Sequence, residues 1–333
     1  MFLVGCEDMK KVLVSGIQSS GKLHIGNYFG AIKQNIELGN STDYDSFLFL
    51  ADYHSMTSLY DQKERIENTF DAACTYLACG LDPEKVALFK QSDVPLVHEL
   101  TWILNTVTPM PMLMLAHSYK DHLAKNKEVN VGLFDYPILM ASDILIYGGN
   151  IVPVGKDQEQ HVEIAREVSG KFNRAYNGTL STPKALIKPE VATVPGIDGE
   201  KMSKSKNNHI PLFANEDEVR KRIMSIVTDS AQPSEPKDPD NNNIYKIHRL
   251  FLSPSDDISL RKRFTDGGYG YKEAKEDLLQ TFLSWRAPYK KRYDELQQQP
   301  DQVWKVLEQG GVRARKRAEE TIQEVRKVTG LDK

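Results

Sequence analysis

Lys11-Val12-Leu13-Val14, running straight into Ser15-Gly16-Ile17-Gln18-Ser19-Ser20-Gly21-Lys22-Leu23-His24-Ile25-Gly26-Asn27, reads as a buried strand, a glycine-rich loop and the start of a helix. The same texture returns along the chain. Ser46 to Ala51, Val86 to Lys90 and Ile151 to Val154 are short apolar runs of strand type, separated by stretches of helical periodicity. Glu64 to Cys79 and Asp157 to Phe172 are the clearest of these helices, the first closed by Gly80 and Leu81-Asp82-Pro83. Alternation of this kind predicts an α/β fold, a Rossmann-like parallel sheet with helices on both faces. In such a sheet ligands lie beyond the carboxyl ends of the strands, near the point where the strand order reverses.

Gly26 allows close approach to the backbone, and the amides at the start of a helix over about 26–38 favour an anion there. His24 and Asn27 add side-chain donors. A plain glycine turn closing an α/β unit, with His24 as its cap, fits the segment as well. Far downstream, Lys201-Met202-Ser203-Lys204-Ser205 sits behind the glycine-rich approach Pro195-Gly196-Ile197-Asp198-Gly199. Two ammonium groups and two hydroxyls on one short loop suit a polyphosphate, because lysine is a mobile point charge and the hydroxyls add donors. Alone, the pentad fits a solvated basic turn too.

A chain of 333 residues that is 40% apolar can bury a substantial core, in one large domain and one smaller one. The net charge of −3 does not by itself suggest an RNA partner, so any RNA contact is local. Arg313, Arg315, Lys316 and Arg317 form the densest basic run, and a solvated helix face is its simpler reading. Cys6, Cys74 and Cys79 are odd in number and lack C-x-x-C spacing, which argues against a disulfide scaffold or a zinc site and for the cytoplasm. Met1 to Cys6 is too short for the apolar core of a signal peptide, and no later run reaches the length of a membrane span.

His24-Ile25-Gly26-Asn27 resembles the HIGH element of class I aminoacyl-tRNA synthetases, and Lys201 to Ser205 matches their KMSKS loop letter for letter and in the same order. Four further stretches are similar to the tryptophanyl-tRNA synthetases of bacterial type in particular. They are Ala51-Asp52-Tyr53-His54-Ser55-Met56-Thr57, Tyr136 to Leu145, Val152 to His161 and Val227-Thr228-Asp229-Ser230. The resemblance extends from about residue 11 to the C-terminus.

That resemblance implies activation of L-tryptophan by ATP, carried with Mg²⁺, followed by transfer to the 3′-terminal adenosine of tRNA(Trp) through its 2′-hydroxyl. It assigns catalytic roles to Lys201, Ser203, Lys204, Ser205, His24 and Asn27. For ATP it adds Gln18, Ser19, Ser20, Gly26, Gly155, Lys156, Asp157, Val194 and Met202. On spacing alone Asp157 also reads as a helix N-cap. For tryptophan the resemblance implies Asp143, Met140, Tyr136, Gln158 and His54. Asp143 is the sharpest of these: it stands among Ile138, Leu139, Met140, Ile144, Leu145 and Ile146, where an unpaired carboxylate is costly and an indole N–H is a suitable donor. Pattern alone fits a core helix with one satisfied aspartate. Pro137 reads as the start of that helix, with Met140, Asp143 and Tyr147 on one face. In Ala116 to His122 the sequence departs from the family, having His122 where relatives commonly carry a phosphate-binding lysine; either Lys120 or Lys125 substitutes, or the ATP site works with less charge. No cysteine follows Cys79, so the iron–sulfur site of some relatives is not expected, nor is zinc.

The expected organisation is a catalytic domain over 1–205, a helical tRNA anticodon-binding domain over 206–296, and a last helix within 297–333 packing back on the first. In the second domain, Asn215 to Val227, Ile244 to Leu252 and Tyr271 to Gln299 read as helices, and Ala231 to Asn243 as an exposed loop. The last helix, about 302–328, is expected to break near Gly310-Gly311. The resemblance also implies a homodimer and no membrane partner. Alternatives are a tyrosyl-tRNA synthetase, a small-metabolite nucleotidylyltransferase and a non-catalytic paralogue.

Overall fold

The computed structural model describes residues 10–18, 21–124, 128–187 and 194–332. Its centre is a five-stranded sheet of β1 (Lys11–Ile17), β2 (Tyr44–Leu50), β3 (Val86–Lys90), β4 (Ile151–Pro153) and β5 (Lys184–Leu186), in the order β3-β2-β1-β4-β5. Every neighbouring pair is parallel. The chain steps outward from β1 to β2 and β3, then crosses to the other side of β1 for β4 and β5, so the order reverses between β1 and β4. β5 was not expected, since Lys184-Ala185-Leu186 is neither an apolar run nor long enough to show alternation.

The strands read as continuous apolar runs because both faces are covered. Val12, Val14, Phe47, Phe49, Ala87 and Phe89 point into one core with the helices Leu96–Asn105, Val131–Leu145 and Glu159–Tyr176. Their alternates Leu13, Leu48, Leu50, Val86 and Leu88 are equally buried on the opposite face. Each such side chain contributes about 1.5–3 kcal/mol by leaving water.

The last helix, Pro300–Thr329, runs without the expected break. A Cβ on Gly310 would lie 2.0 Å from the carbonyl oxygen of Leu88, so this glycine lets the helix lie on the backbone of the edge strand β3, while a Cβ on Gly311 would lie 3.0 Å from Asp93 Cβ. The arginines of this helix serve the same docking. Arg315 donates to Asp93 O (2.7 Å) and Arg317 to Tyr147 O (3.0 Å), which replaces the solvated-face reading for these two, while Arg313 stays exposed as it donates to the carbonyls of Pro83 and Lys85 (3.1 and 3.3 Å).

The chain divides into two compact units, one of Met1–Ser20, Gln34–Lys188 and Gln299–Lys333, the other of Gly21–Lys33 and Pro189–Gln298. These divisions differ from a boundary at residue 205. In the second unit Ile25 N–H donates to Ile210 O (3.1 Å) and Leu212 N–H to Leu23 O (3.1 Å), so the segment holding His24 is bonded to the chain just after the basic pentad. The helices of this unit are Glu216–Met224, Asn243–His248, Pro254–Asp266 and Tyr271–Gln297. Pro254–Asp266 was not anticipated, although Ser253-Pro254 is an N-cap followed by a first-turn proline, with Ser253 Oγ accepting from Asp256 N–H at 3.3 Å. The helix expected over 26–38 contains a π-helical turn, Tyr28–Ile32, from which Tyr28 and Phe29 both meet the Trp285 ring, at 5.0 and 5.8 Å.

Candidate functional site

The sheet unit gathers one set of predicted residues around Asp143. Its helix starts at Val131, capped by Asn130 Oδ1, which accepts from Leu133 N–H at 2.8 Å, so Pro137 lies inside the helix rather than at its start. Asp143 is 1% exposed. Its Oδ2 lies 3.0 Å from His54 Nε2 and accepts from Gln91 Nε2 at 2.7 Å, while its Oδ1 is buried with no hydrogen-bond partner. Burial pushes the Asp143 carboxyl up, and the His54 and Gln91 bonds oppose that.

Gln91 was missed by sequence reasoning. It follows the carboxyl end of β3, and its Oε1 accepts from the backbone N–H groups of Tyr53 (3.1 Å) and His54 (3.3 Å), tying the turn after β2 to Asp143. The rule that residues past strand ends build sites would have found it. The Tyr136 and His54 rings stand nearly perpendicular with centroids 6.0 Å apart, and the Tyr136 hydroxyl bonds His161 Nε2 at 2.6 Å. Met140, one turn before Asp143, is half-buried against the core. Tyr147 is 1% exposed and stacks on Phe47 at 5.2 Å, and burial, with Asp143 and Asp93 nearby, raises its hydroxyl well above the ordinary tyrosine value.

Two predicted segments border the reversal between β1 and β4. Gln18 follows β1 and donates from Nε2 to His54 O at 3.4 Å, while Ser19 and Ser20 lie outside the described residues. After β4, Gly155 caps the 3₁₀ turn Lys156–Gln158. Lys156 pairs with Glu159 at 2.5 Å, and Asp157 accepts from Gln158 Nε2 at 3.1 Å. Gln158, not Asp157, occupies the N-cap position of the helix Glu159–Tyr176. Lys120 and His122 lie on the helix His117–Ala124, and Lys125 lies outside the described residues.

The other unit holds the second set. His24 is 5% exposed, and its backbone N–H donates to Asn27 Oδ1 at 3.1 Å, which fixes the helix start. Burial, with Lys204 and His209 nearby, lowers the His24 imidazole to about 3, so the ring is neutral at physiological pH. A Cβ on Gly26 would lie 3.2 Å from Met202 Cβ and 2.9 Å from His24 Nδ1, so this glycine admits the pentad's buried methionine.

The pentad is the tail of a small hairpin. Met202 N–H donates to Val194 O (2.9 Å), Pro195 bridges Lys201, and Gly196 N–H donates to Glu200 O (2.6 Å). Lys204 Nζ donates to Gly21 O at 2.7 Å, and the Ser203 and Ser205 hydroxyls are 2.8 Å apart. Lys201 is exposed. The unit therefore presents two lysines, two hydroxyls and a neutral imidazole, a set able to receive anionic oxygen. Among the described residues, no cluster of His, Cys, Asp or Glu is arranged to hold a metal ion, and no helix is long and apolar enough to cross a membrane.

Residues 8–299 match the family model described as tRNA synthetases class I (W and Y). The chain is 48% identical to a tryptophan–tRNA ligase of Fusobacterium nucleatum subsp. nucleatum, over 97% of this chain and 98% of that one. A crystal structure of the tryptophanyl-tRNA synthetase of Campylobacter jejuni, complexed with ADP and tryptophan, superposes with a TM-score of 0.88 at 45% identity, covering 96% of this chain and 99% of that one. The enzyme from Mycoplasma pneumoniae gives a TM-score of 0.82 at 29% identity, over 97% of this chain and 99% of that one.

Proposed function

The chain belongs to the class I tRNA synthetases for tryptophan and tyrosine, among the tryptophan–tRNA ligases, and on that premise we propose how its residues divide the reaction. The reaction joins L-tryptophan to ATP as tryptophanyl-adenylate with release of pyrophosphate, then passes tryptophan to the 3′-terminal adenosine of tRNA(Trp). In the first step a tryptophan carboxylate oxygen bonds to the α-phosphorus as the bond from that phosphorus to the bridging oxygen breaks. In the second, the ribose 2′-hydroxyl attacks the acyl carbon and AMP leaves. Neither step asks for a protein nucleophile; both ask for positioning and for stabilised charge.

Asp143 selects the amino acid. The observation that carries this is its buried, partnerless Oδ1: an acceptor withdrawn from water needs a donor, and the indole N–H is one. Gln91 and His54 hold the other oxygen, which fixes the carboxylate plane. Met140 supplies a thioether surface, and Tyr136 and Gln158 receive the ammonium group.

MgATP is the co-substrate, its Mg²⁺ held largely by phosphate oxygens and water. Gln18, Ser19, Ser20, Gly155, Lys156, Asp157 and Val194 take the nucleoside, and His24, Gly26 and Asn27 the phosphates. Lys201 and Lys204, with Met202 as anchor and Ser203 and Ser205 as donors, meet the departing pyrophosphate. Contacts that strengthen as charge grows on the leaving group raise the rate.

The helical region 206–296 reads the anticodon of tRNA(Trp), and the enzyme works in the cytoplasm as a homodimer. Trp102, Met110, Met114 and Leu115, 73%, 65%, 46% and 58% exposed, supply an apolar surface within one stretch for a second copy. ATP–pyrophosphate exchange with single amino acids tests the reading. Tryptophan supports exchange and tyrosine does not; exchange with tyrosine alone would overturn it.

A further inference from the structure

We propose that Asn208 is the positioning residue of the basic loop, setting the geometry in which Lys201 and Lys204 meet the leaving pyrophosphate. The proposal rests on the reading above and concerns a residue outside the pentad.

Asn208 is 2% exposed, although it stands in a loop whose neighbours Lys206 and Asn207 are exposed. Its side chain joins both limbs of the hairpin. Oδ1 accepts from Ser203 N–H at 2.7 Å, inside the pentad. Nδ2 donates to both Asp198 carboxylate oxygens, at 2.8 and 3.0 Å, and to Lys201 O at 3.2 Å. The orientation of the amide is fixed by these partners, since a backbone N–H needs the oxygen and a carboxylate needs the nitrogen. The Asn208 backbone carbonyl also accepts from Ile197 N–H at 2.9 Å.

The surrounding residues are shaped for this clamp. A Cβ on Gly196 would lie 2.5 Å from Asn208 Cγ and Nδ2, so only glycine lets the amide lie against the segment that leads into the turn. Asp198 spends Oδ1 on Glu200 N–H as well (3.0 Å), which makes the carboxylate part of the turn itself. Beyond the clamp, Arg222 Nη1 holds Asn207 O at 2.9 Å. Of the pentad, Lys201 and Ser203 are bound directly by one buried amide, and Lys204 follows Ser203 in the chain.

A chemistry that depends on charge placement is sensitive to this geometry, and a displacement of about 1 Å costs about 10²-fold in rate. Asn208→Asp keeps the acceptor for Ser203 N–H but sets a second carboxylate against Asp198. Adding Asp198→Asn restores the pair between 198 and 208 with its polarity reversed, while the bond to Lys201 O stays lost, so recovery is partial.

The test is tryptophan-dependent ATP–pyrophosphate exchange by the full-length protein, with tryptophan binding measured by calorimetry as the check that the sheet unit is folded. N208D lowers kcat about 10²-fold with the tryptophan Kd within twofold, and N208D/D198N recovers at least about tenfold of that loss. A double variant no better than N208D, or an N208D enzyme with unchanged kcat, overturns the proposal. Absence of exchange in the unaltered protein overturns instead the function on which it rests.

Discussion

Lys204 Nζ lies 2.7 Å from the carbonyl oxygen of Gly21, 183 residues earlier in the chain. The bond ties the lysine loop to the glycine turn that precedes His24. A carbonyl is a weaker partner for an ammonium than a phosphate, because the phosphate adds the attraction of an opposite charge to the hydrogen bond. The contact therefore holds the lysine near the imidazole without competing strongly for it once an anion arrives. The same ammonium helps to keep His24 neutral.

That neutrality has a measurable consequence. His24 is lowered from 6.5 to about 3 by burial first and then by Lys204 and His209. The folded ring is less basic than the unfolded one, so stability from this site is present above the unfolded value and is lost as pH falls from about 6.5 toward 3. Histidine-resolved NMR between pH 8 and 5 shows no His24 titration. A limb of the exchange rate in that range that vanishes in His24→Asn contradicts this account.

Asp143→Asn puts an amide in place of the buried carboxylate proposed to accept the indole N–H. Losing a charge-assisted bond of about 1.5–3 kcal/mol weakens tryptophan binding about 10- to 100-fold. The native protein discriminates by a similar factor against an analogue whose indole nitrogen is replaced by sulfur, and the variant no longer does. Calorimetry with both ligands checks this; equal discrimination in the two proteins places the indole nitrogen elsewhere.

The C-terminal helix offers a stability test. Gly310→Ala sets a methyl group 2.0 Å from Leu88 O unless the helix shifts away from β3. Overpacking of this kind costs about 1–3 kcal/mol, read as a lower urea midpoint with an unchanged slope. Gly330→Ala, which has no neighbouring atom within 4 Å but a φ of +74°, separates backbone strain from the clash.

Gly310 also shows where the sequence stops speaking. Glycine in a helix lowers its intrinsic propensity, so local reasoning places a break there, whereas the contact with β3 that requires it is tertiary. Pro137 misled in the same way, being read from its preference for helix starts and found inside a helix begun by Asn130. The segment from Lys11 to Asn27 was legible because period and glycine placement are local properties, and its strand and helix start are where they were expected. Gln91 and Asn208 were not legible: an amide carries no signature until its partners on other segments are known. Asp143 lay between these cases, since the apolar run around it revealed burial but not the oxygen left without a donor.

The central claim is that the lysine loop acts on the departing pyrophosphate while tryptophan recognition resides with Asp143. The most direct measurement is single-turnover formation of tryptophanyl-adenylate by Lys204→Ala, set beside tryptophan binding by the same protein. The account predicts a rate lowered by about 10²- to 10³-fold with the tryptophan Kd within twofold, the pattern of a group that acts on developing charge. Equal losses in rate and in tryptophan affinity would contradict it.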